Sequence, residues 1–320
     1  MVDLSISVVN WNGRGVIERC LESILKARQS LSLEIFVVDN ASSDGSQALI
    51  RGRFPELTLI ENQENRGYAA ANNQALERAQ GRYCLVLNND TVTQKGALET
   101  MVGFMDTHTD VGIVGGRLLN LDGSFQPSMN RRFPNLLGLF LDEMFLFSVV
   151  YYRFIKTRFG SRLISHFRDS DAPKEVAWVG GACMLARREV LKTVGGIDDR
   201  FFFYREDCDW CLRTRKAGWK VVYLPTAVFV HAWGHSSQLN AEKISFESRR
   251  SVLYFFKKHQ GRVGFYAAKA ILIAGLVIRC GFLFFGTRIG FEKLRKQHRT
   301  FQKMISYVWS LKDPSQPLTC

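Results

Sequence analysis

Residues 201–213 read "FFFYREDCDWCLR". Four aromatics run into Glu206 and Asp207, Asp209 follows beside Trp210, and Arg213 and Arg215 come next. A carboxylate set among large apolar side chains loses hydration. That lifts its pKa from the ordinary Asp value of about 4 toward useful basicity. Such a group can take the proton of an attacking hydroxyl. Adjacent helical residues point about 100° apart, so Glu206 and Asp207 cannot share the task. The plainer reading is a helix N-terminus decorated with acids, which the helix dipole favours. A second set of candidates is Asp90, at the end of "RYCLVLNND" (82–90), and His231, which follows the strand-like "WKVVYLPTAVFV". A carboxylate and an imidazole suit a divalent cation. His235 is a rival for that place. Neither a G-x-G-x-x-G after the first strand nor a G-x-x-x-x-G-K-[ST] is present, so a bound nucleoside diphosphate would need a metal to neutralise its charge. Cys208 and Cys211 have the C-x-x-C spacing but no second pair, so packing residues on a helix are expected.

These groups need elements to hold them. "SISVVN" (5–10), "LEIFVVDN" (33–40), "ELTLIEN" (56–62), "RYCLVLNND" (82–90) and "VGIVGGRLL" read as strands. Between them, "GVIERCLESILKA" (15–27) carries a helical apolar stripe, and "YAAANNQALERAQG" (68–81) reads as a helix ending at Gly81. Strands alternating with helices predict an α/β fold with a mostly parallel central sheet flanked by helices. Such sheets bind ligands at the carboxyl ends of their strands. Polar residues gather there: Asn10 and Asn12, Asp39, Asn65 and Arg66, and Asn88, Asn89 and Asp90. Any one of them also suits a turn or cap.

In order along the chain, "VVNWNG", "VVDNASSDGS", "NRGYAAANN", "LVLNNDT" and "FFFYREDCDWCLRTRKAGWK" resemble the inverting glycosyltransferases of family 2, of GT-A fold, and within them the branch of rhamnosyl- and galactofuranosyltransferases. The resemblance spans roughly residues 5 to 238. Each motif alone is weak; the ordered set is specific. It implies that Asp39 hydrogen-bonds the base of a nucleotide sugar, flanked by Asn10 and Trp11, and that Arg66, Gly67, Asn72 and Asn89 line the nucleotide pocket. It implies Mg²⁺ or Mn²⁺ bound by Asp90 and His231. Asn88 stands where the family's D-x-D-type motif has an acid, which leaves most of the metal contact to Asp90. It implies Asp207 as general base. Trp178, Gly180 and Gly181, in "WVGGACMLARREVLKTVGGIDDRFF", with Glu206 and Trp210, would shape the acceptor site. The implied donor is dTDP-L-rhamnose, with UDP-galactofuranose as runner-up. A hydrolase working with two carboxylates would need a second acid across the sugar, and the sequence offers no clear candidate.

With 46% hydrophobic and 23% charged residues among 320, the chain is globular in composition. Seven scattered cysteines argue for a reducing compartment. The first residues lack the pattern of a secretory signal. Of the net charge of +13, residues 241–320 carry +11, from fifteen Lys or Arg against four acids. We therefore expect a catalytic domain over 1–240, with a nucleotide-sugar half to about 118, an acceptor half over 119–240 and an apolar insert at 135–159. A basic, apolar helical tail over 241–320 follows it. "GFYAAKAILIAGLVIRCGFLFFG" (264–286) is apolar but broken by Lys269 and Arg279, so the expected placement is in the membrane interface, with a tilted span or a buried core helix as the alternatives. Lys257, Lys258, Arg262, Arg288, Lys293, Arg295 and Lys296 would then face anionic headgroups. The long apolar segment disfavours a nucleic-acid arm. A catalytically dead scaffold is disfavoured by the intact Asp39, Asp90 and Asp207. The combined expectation is a bacterial enzyme, peripheral or monotopic on the cytoplasmic face of the cell membrane, acting on a lipid-linked saccharide.

Overall fold

The computed structural model describes residues 2–28, 30–144, 169–232, 241–288 and 292–316. Most of the expected insert, and His235, lie outside the described residues. Strand β1 (Leu4–Asn10) is buried along its whole length. It pairs in parallel with β2 (Leu33–Asp39) on one side and β4 (Tyr83–Asn88) on the other, and β3 (Thr58–Glu61) extends the set beyond β2. Helices α1 (Arg14–Lys26), α2 (Ser46–Arg53) and α3 (Tyr68–Leu76) make the returns. In α1 the buried Ile17, Cys20, Leu21 and Ile24 fall on one face, as the apolar stripe requires. They join Ile6, Val8, Leu85 and Leu87 in one core layer. Val86, Met184, Trp210 and Tyr223 build another cluster. A sheet covered on both faces explains why these strands read as nearly unbroken apolar runs. The third helix ends at Leu76, five residues before Gly81; Glu77 is its C-cap.

The sheet continues with a change of direction. After α4 (Ala97–Thr107) come β6 (Val111–Leu119) and, far along the chain, β12 (Lys220–His231), which pair in parallel. Between β4 and β6 lies β11 (Cys183–Arg187), antiparallel to both. It enters from the turn at Gly180 and Gly181 rather than through a crossover helix, so nothing imposes the parallel direction on it. The short β5 (Thr91–Thr93) pairs antiparallel with the end of β12, β9 (Lys174–Glu175) antiparallel with its first half, and β7 (Phe125–Gln126) with β6. Strands β8 (Met129–Asn130) and β10 (Trp178–Val179) form a separate two-stranded sheet. Beyond β11 come α6 (Arg188–Val194) and α7 (Glu206–Lys216).

By its internal contacts the chain divides into two units. The sheet unit is Met1–Phe133, His166–Phe202 and Glu206–Leu239; the helical unit is Pro134–Ser165, Phe203–Arg205 and Asn240–Cys320. The helical unit contains α5 (Leu136–Met144), α8 (Ala241–Arg288), broken at Gly261 where φ is 68°, and α9 (Glu292–Ser310). Leu253, Phe256, Phe265, Leu272, Leu276, Met304 and Val308 pack as its core. The opposite surface leaves Tyr266, Val277, Phe282 and Trp309 exposed. Glu242–Phe284 contains a window with mean hydropathy 2.0, long and apolar enough to cross a bilayer, of which 22% is buried. The two cations that interrupt the apolar run are spent inside the unit. Lys269 Nζ donates to the carbonyls of Trp309 and Leu311, at 2.7 and 2.9 Å, and Arg279 pairs with Glu143. Lys257, expected to face headgroups, is paired with Asp313 at 2.8 Å.

Candidate active site

Asn10 and Asp39 stand in register at the carboxyl ends of β1 and β2. Both are closed to solvent. Asn10 Nδ2 donates to Asp39 Oδ2 and to Ser46 Oγ, each at 2.9 Å, and its Oδ1 accepts from Asn89 Nδ2 at 2.9 Å. Asp39 Oδ1 takes the Ser42 N–H at 2.9 Å and the Gln47 amide at 2.7 Å. Three of the roughly four acceptor sites of the Asp39 carboxylate thus hold the 40–46 turn and the β1 end. Asn72 is likewise buried, accepting from Ser7 Oγ at 2.7 Å and donating to the Tyr68 carbonyl at 2.9 Å. Asn10, Asn72 and Asn89 are thus a buried frame, for the physical reason that an enclosed amide must be hydrogen-bonded. Trp11, half-buried, and Arg66, exposed, are the expected nucleotide residues that this frame leaves open. Gly67 has φ +84°, and a Cβ there would lie 2.8 Å from Phe202 Cδ2 and 2.9 Å from the Phe202 carbonyl oxygen. Only glycine fits without displacement.

The pairing of β12 with β5 sets His231 opposite Thr91 and so beside Asp90. His231 Nε2 lies 3.1 Å from Asp90 Oδ1 and 3.2 Å from Asn88 Nδ2. Both Asp90 and His231 are buried. Among the described residues no group of three or more His, Cys, Asp and Glu could hold a metal ion. This site has two such side chains and the Asn88 amide. Two neighbouring ligands at about 2.1 Å from an octahedral ion lie about 3 Å apart. The Asp90–His231 separation fits that, with further ligands to come from outside the protein.

Helix α7 carries Glu206, Asp207 and Asp209 in its first turn and Arg213, Arg215 and Lys216 in its last, the charge order its dipole favours. The three acids have different surroundings. Asp209 has no exposed surface and pairs with Arg213 Nε at 2.8 Å. The guanidinium also donates to the carbonyls of Val194 and Gly196. Glu206 is buried. Asp207 is half-buried; Oδ2 accepts the Gly181 N–H at 3.0 Å and Oδ1 the Cys208 N–H at 2.7 Å. Trp210, expected at the acceptor, lies wholly in the core with Nε1 donating to the Gly195 carbonyl at 3.0 Å. One helical turn of packing, not substrate contact, explains it. Cys208 and Cys211 are buried and form no disulfide, in keeping with packing residues on a helix.

Tyr68 went unread in the sequence, hidden inside a helical motif. Its hydroxyl donates to the Gly181 carbonyl at 2.8 Å, so the Gly181 peptide is held by Tyr68 on one side and Asp207 on the other. Burial pushes the Tyr68 phenol well above its ordinary range, and the carboxylates of Glu206, Asp207 and Asp90 add to the effect. Tyr68 thus stays a neutral donor. Gly180 N–H donates to the Ser128 carbonyl at 2.7 Å, and Trp178, half-buried, to that of Arg132 at 3.2 Å.

The family model of Glycosyl transferase family 2 matches residues 5–195. The chain is 26% identical, over 81% of its length and 85% of the relative's, to the N-acetylglucosaminyl-diphospho-decaprenol L-rhamnosyltransferase of Mycobacterium tuberculosis. It is 32% identical to the putative teichuronic acid biosynthesis glycosyltransferase TuaG of Bacillus subtilis, over 38% of this chain and 49% of that one. The mannosyltransferase PcManGT of Pyrobaculum calidifontis, solved with GDP-Man and Mn²⁺, shares the fold: TM-score 0.53 and 19% identity, covering 96% of this chain and 85% of that one. The chain belongs to glycosyl transferase family 2.

Proposed function

We propose that this family 2 glycosyltransferase moves L-rhamnose, with inversion, from a dTDP-activated donor to a saccharide carried on a lipid diphosphate, in the synthesis of a cell-surface polysaccharide. The observation that carries the chemistry is the Asp207 carboxylate. It is half-buried, and its two oxygens are held by the Gly181 and Cys208 N–H groups. The donor and acceptor follow the mycobacterial relative, and a surface polymer as product follows that relative and TuaG. A galactofuranosyl donor is the second reading, from the motif set.

Transfer is a single displacement. An acceptor hydroxyl attacks the anomeric carbon opposite the leaving diphosphate, the new C–O bond forms as the old one breaks, and Asp207 takes the hydroxyl proton. Both Asp207 oxygens are oriented by backbone N–H groups, so the carboxylate needs little reordering during the reaction. Asp90 and His231 would hold a divalent cation, which supplies positive charge against the departing diphosphate. Trp11 and Arg66 would contact the nucleotide. The frame of Asn10, Asp39 and Asn89 keeps the β1 and β2 loops in place. The exposed apolar surface of the helical unit, in a region of net charge +11, suits an anionic membrane at whose cytoplasmic face the lipid-linked acceptor would be met.

The test is to incubate the full-length protein and Mn²⁺ with a synthetic GlcNAc-diphospho-polyprenol and either dTDP-L-rhamnose or UDP-galactofuranose. The product is read by mass and by the anomeric signal. One added deoxyhexose of inverted configuration is expected. Product from the galactofuranose donor alone would replace rhamnose, and retained configuration would remove Asp207 from its role.

A further inference from the structure

We infer that Gln126 fixes the tautomer of His231, holding the proton on Nδ1 so that the Nε2 lone pair stays open toward Asp90. Gln126 is buried, on the short strand β7. Its Oε1 lies 2.6 Å from His231 Nδ1, and its Nε2 donates to Asn120 Oδ1 at 2.8 Å and, more weakly, to the His231 carbonyl at 3.4 Å. An amide can be turned end for end, so its orientation must be argued from its partners.

The partners form a chain with one fixed end. Asp122 accepts from the Ser124 hydroxyl at 2.5 Å and the Ser124 N–H at 2.9 Å. Those two bonds hold its carboxyl below the ordinary range, so it stays ionised and can only accept. The Ser124 hydroxyl must therefore donate to Asp122, which leaves its oxygen to accept from Asn120 Nδ2 at 2.9 Å. Asn120 then presents Oδ1 to Gln126, Gln126 presents nitrogen to Asn120 and oxygen to the ring, and His231 Nδ1 must carry the hydrogen. Turning Gln126 over would set two carbonyl oxygens face to face at Asn120, or break the Ser124–Asp122 bond. At the other side of the ring, Asn88 Nδ2 approaches Nε2 as a donor at 3.2 Å, which requires a lone pair on that nitrogen. The same lone pair lies 3.1 Å from an Asp90 oxygen. Two acceptors at that distance leave room for a cation between them, and a fixed neighbour on the other ring nitrogen is the usual means of orienting a metal-binding imidazole.

This purpose rests on the metal role given to Asp90 and His231; the lock itself does not. Gln126 touches no substrate and acts as a positioning residue. The test is long-range ¹H–¹⁵N correlation of histidine-labelled, metal-free protein at pH 8, with His231 assigned by the signals lost in His231→Gln. Alongside it, Mn²⁺ binding in the presence of dTDP or UDP is followed by the loss of the free-ion EPR signal. Wild-type His231 is expected as the Nδ1–H form. Gln126→Leu should shift it toward Nε2–H and weaken Mn²⁺ binding by about 10–100-fold. Gln126→Glu, which keeps an acceptor facing Nδ1, should restore the Nδ1–H form. An Nε2–H ring in the wild type overturns the inference, and needs no variant to fold. So does an unchanged Nδ1–H ring in a folded Gln126→Leu protein. If the wild type is Nδ1–H but takes up no Mn²⁺ with either nucleotide, the lock stands and the metal role falls.

Discussion

Asp207 and Asp209 lie two residues apart on α7, and replacing each with asparagine should produce opposite defects. Asp209 has no exposed surface, and Arg213, its partner at 2.8 Å, keeps a fifth of its side chain in solvent. Breaking a buried pair by removing one charge costs about 3–5 kcal/mol. The exposed fifth of Arg213 and its two remaining bonds to Val194 and Gly196 put Asp209→Asn at the low end, about 3 kcal/mol. For a protein of 320 residues that lowers Tm by about 4–5 °C. Asp207→Asn keeps an amide oxygen to accept the Gly181 N–H, so its Tm should move by no more than about 2 °C. Without a proton acceptor, its kcat should fall by about 10²–10⁴-fold. The assay is differential scanning fluorimetry beside release of nucleoside diphosphate at saturating donor. Asp207→Asn retaining more than about a tenth of kcat would refute the base assignment. Asp209→Asn with unchanged Tm but lost activity would show that the two roles have been exchanged.

Four further outcomes follow. Gly67→Ala, forced to φ +84° with its Cβ against Phe202, should lose about 1–3 kcal/mol, seen as a lower urea midpoint at unchanged m-value. The Asp3 carboxyl is held below its ordinary range by the Ser32 N–H and then by Arg82. That of Asp106 is lowered too, the bonds from Arg82 and Tyr83 outweighing its burial. A folded pKa below the unfolded one adds stability that is present above about pH 4 and lost as pH falls through the folded value, so Tm should be flat from pH 7 to 5 and drop below 4. Burial raises the Cys84 thiol to about 11 and the Cys183 thiol to about 12, so neither should be alkylated by iodoacetamide at pH 8 until denaturant is added. Replacing the exposed Val277 and Trp309 by alanine should reduce co-flotation with anionic vesicles with little change in Tm, because both side chains lie mostly outside the helical core.

Periodicity located β1, β2, β3, β4 and β6 because each is an apolar run bounded by polar turn residues, a signal local to its own segment. It could not give the direction of β11, which is set by partners about a hundred residues away and by a turn with no pattern of its own. The same division holds in the site. Asp90, His231 and Asp207 stood out as candidates because their chemistry differs from that of their neighbours. Trp210 was misplaced because an aromatic beside an acid reads the same whether it faces substrate or core, and only the packing of α7 decides. Asp39 was legible as a strand-end acid, but its bonds to Asn10, Gln47 and the Ser42 N–H join segments in a way that no spacing reveals. Tyr68 and Gln126 carried no signal, since each acts through a contact to a distant part of the chain.

The reversed strand β11 also bears on how the molecule is made. By the time residue 88 has left the ribosome, β3, β2, β1 and β4 can pair, but the open flank of β4 waits for residues 183–187. At about 5–20 residues per second that wait lasts roughly 5–20 s. For that interval the nascent chain presents an unpaired apolar edge, the form most prone to join a neighbouring polypeptide. Slowing translation between these segments should therefore lower the soluble yield, and a chaperone that shields the β4 edge should recover it.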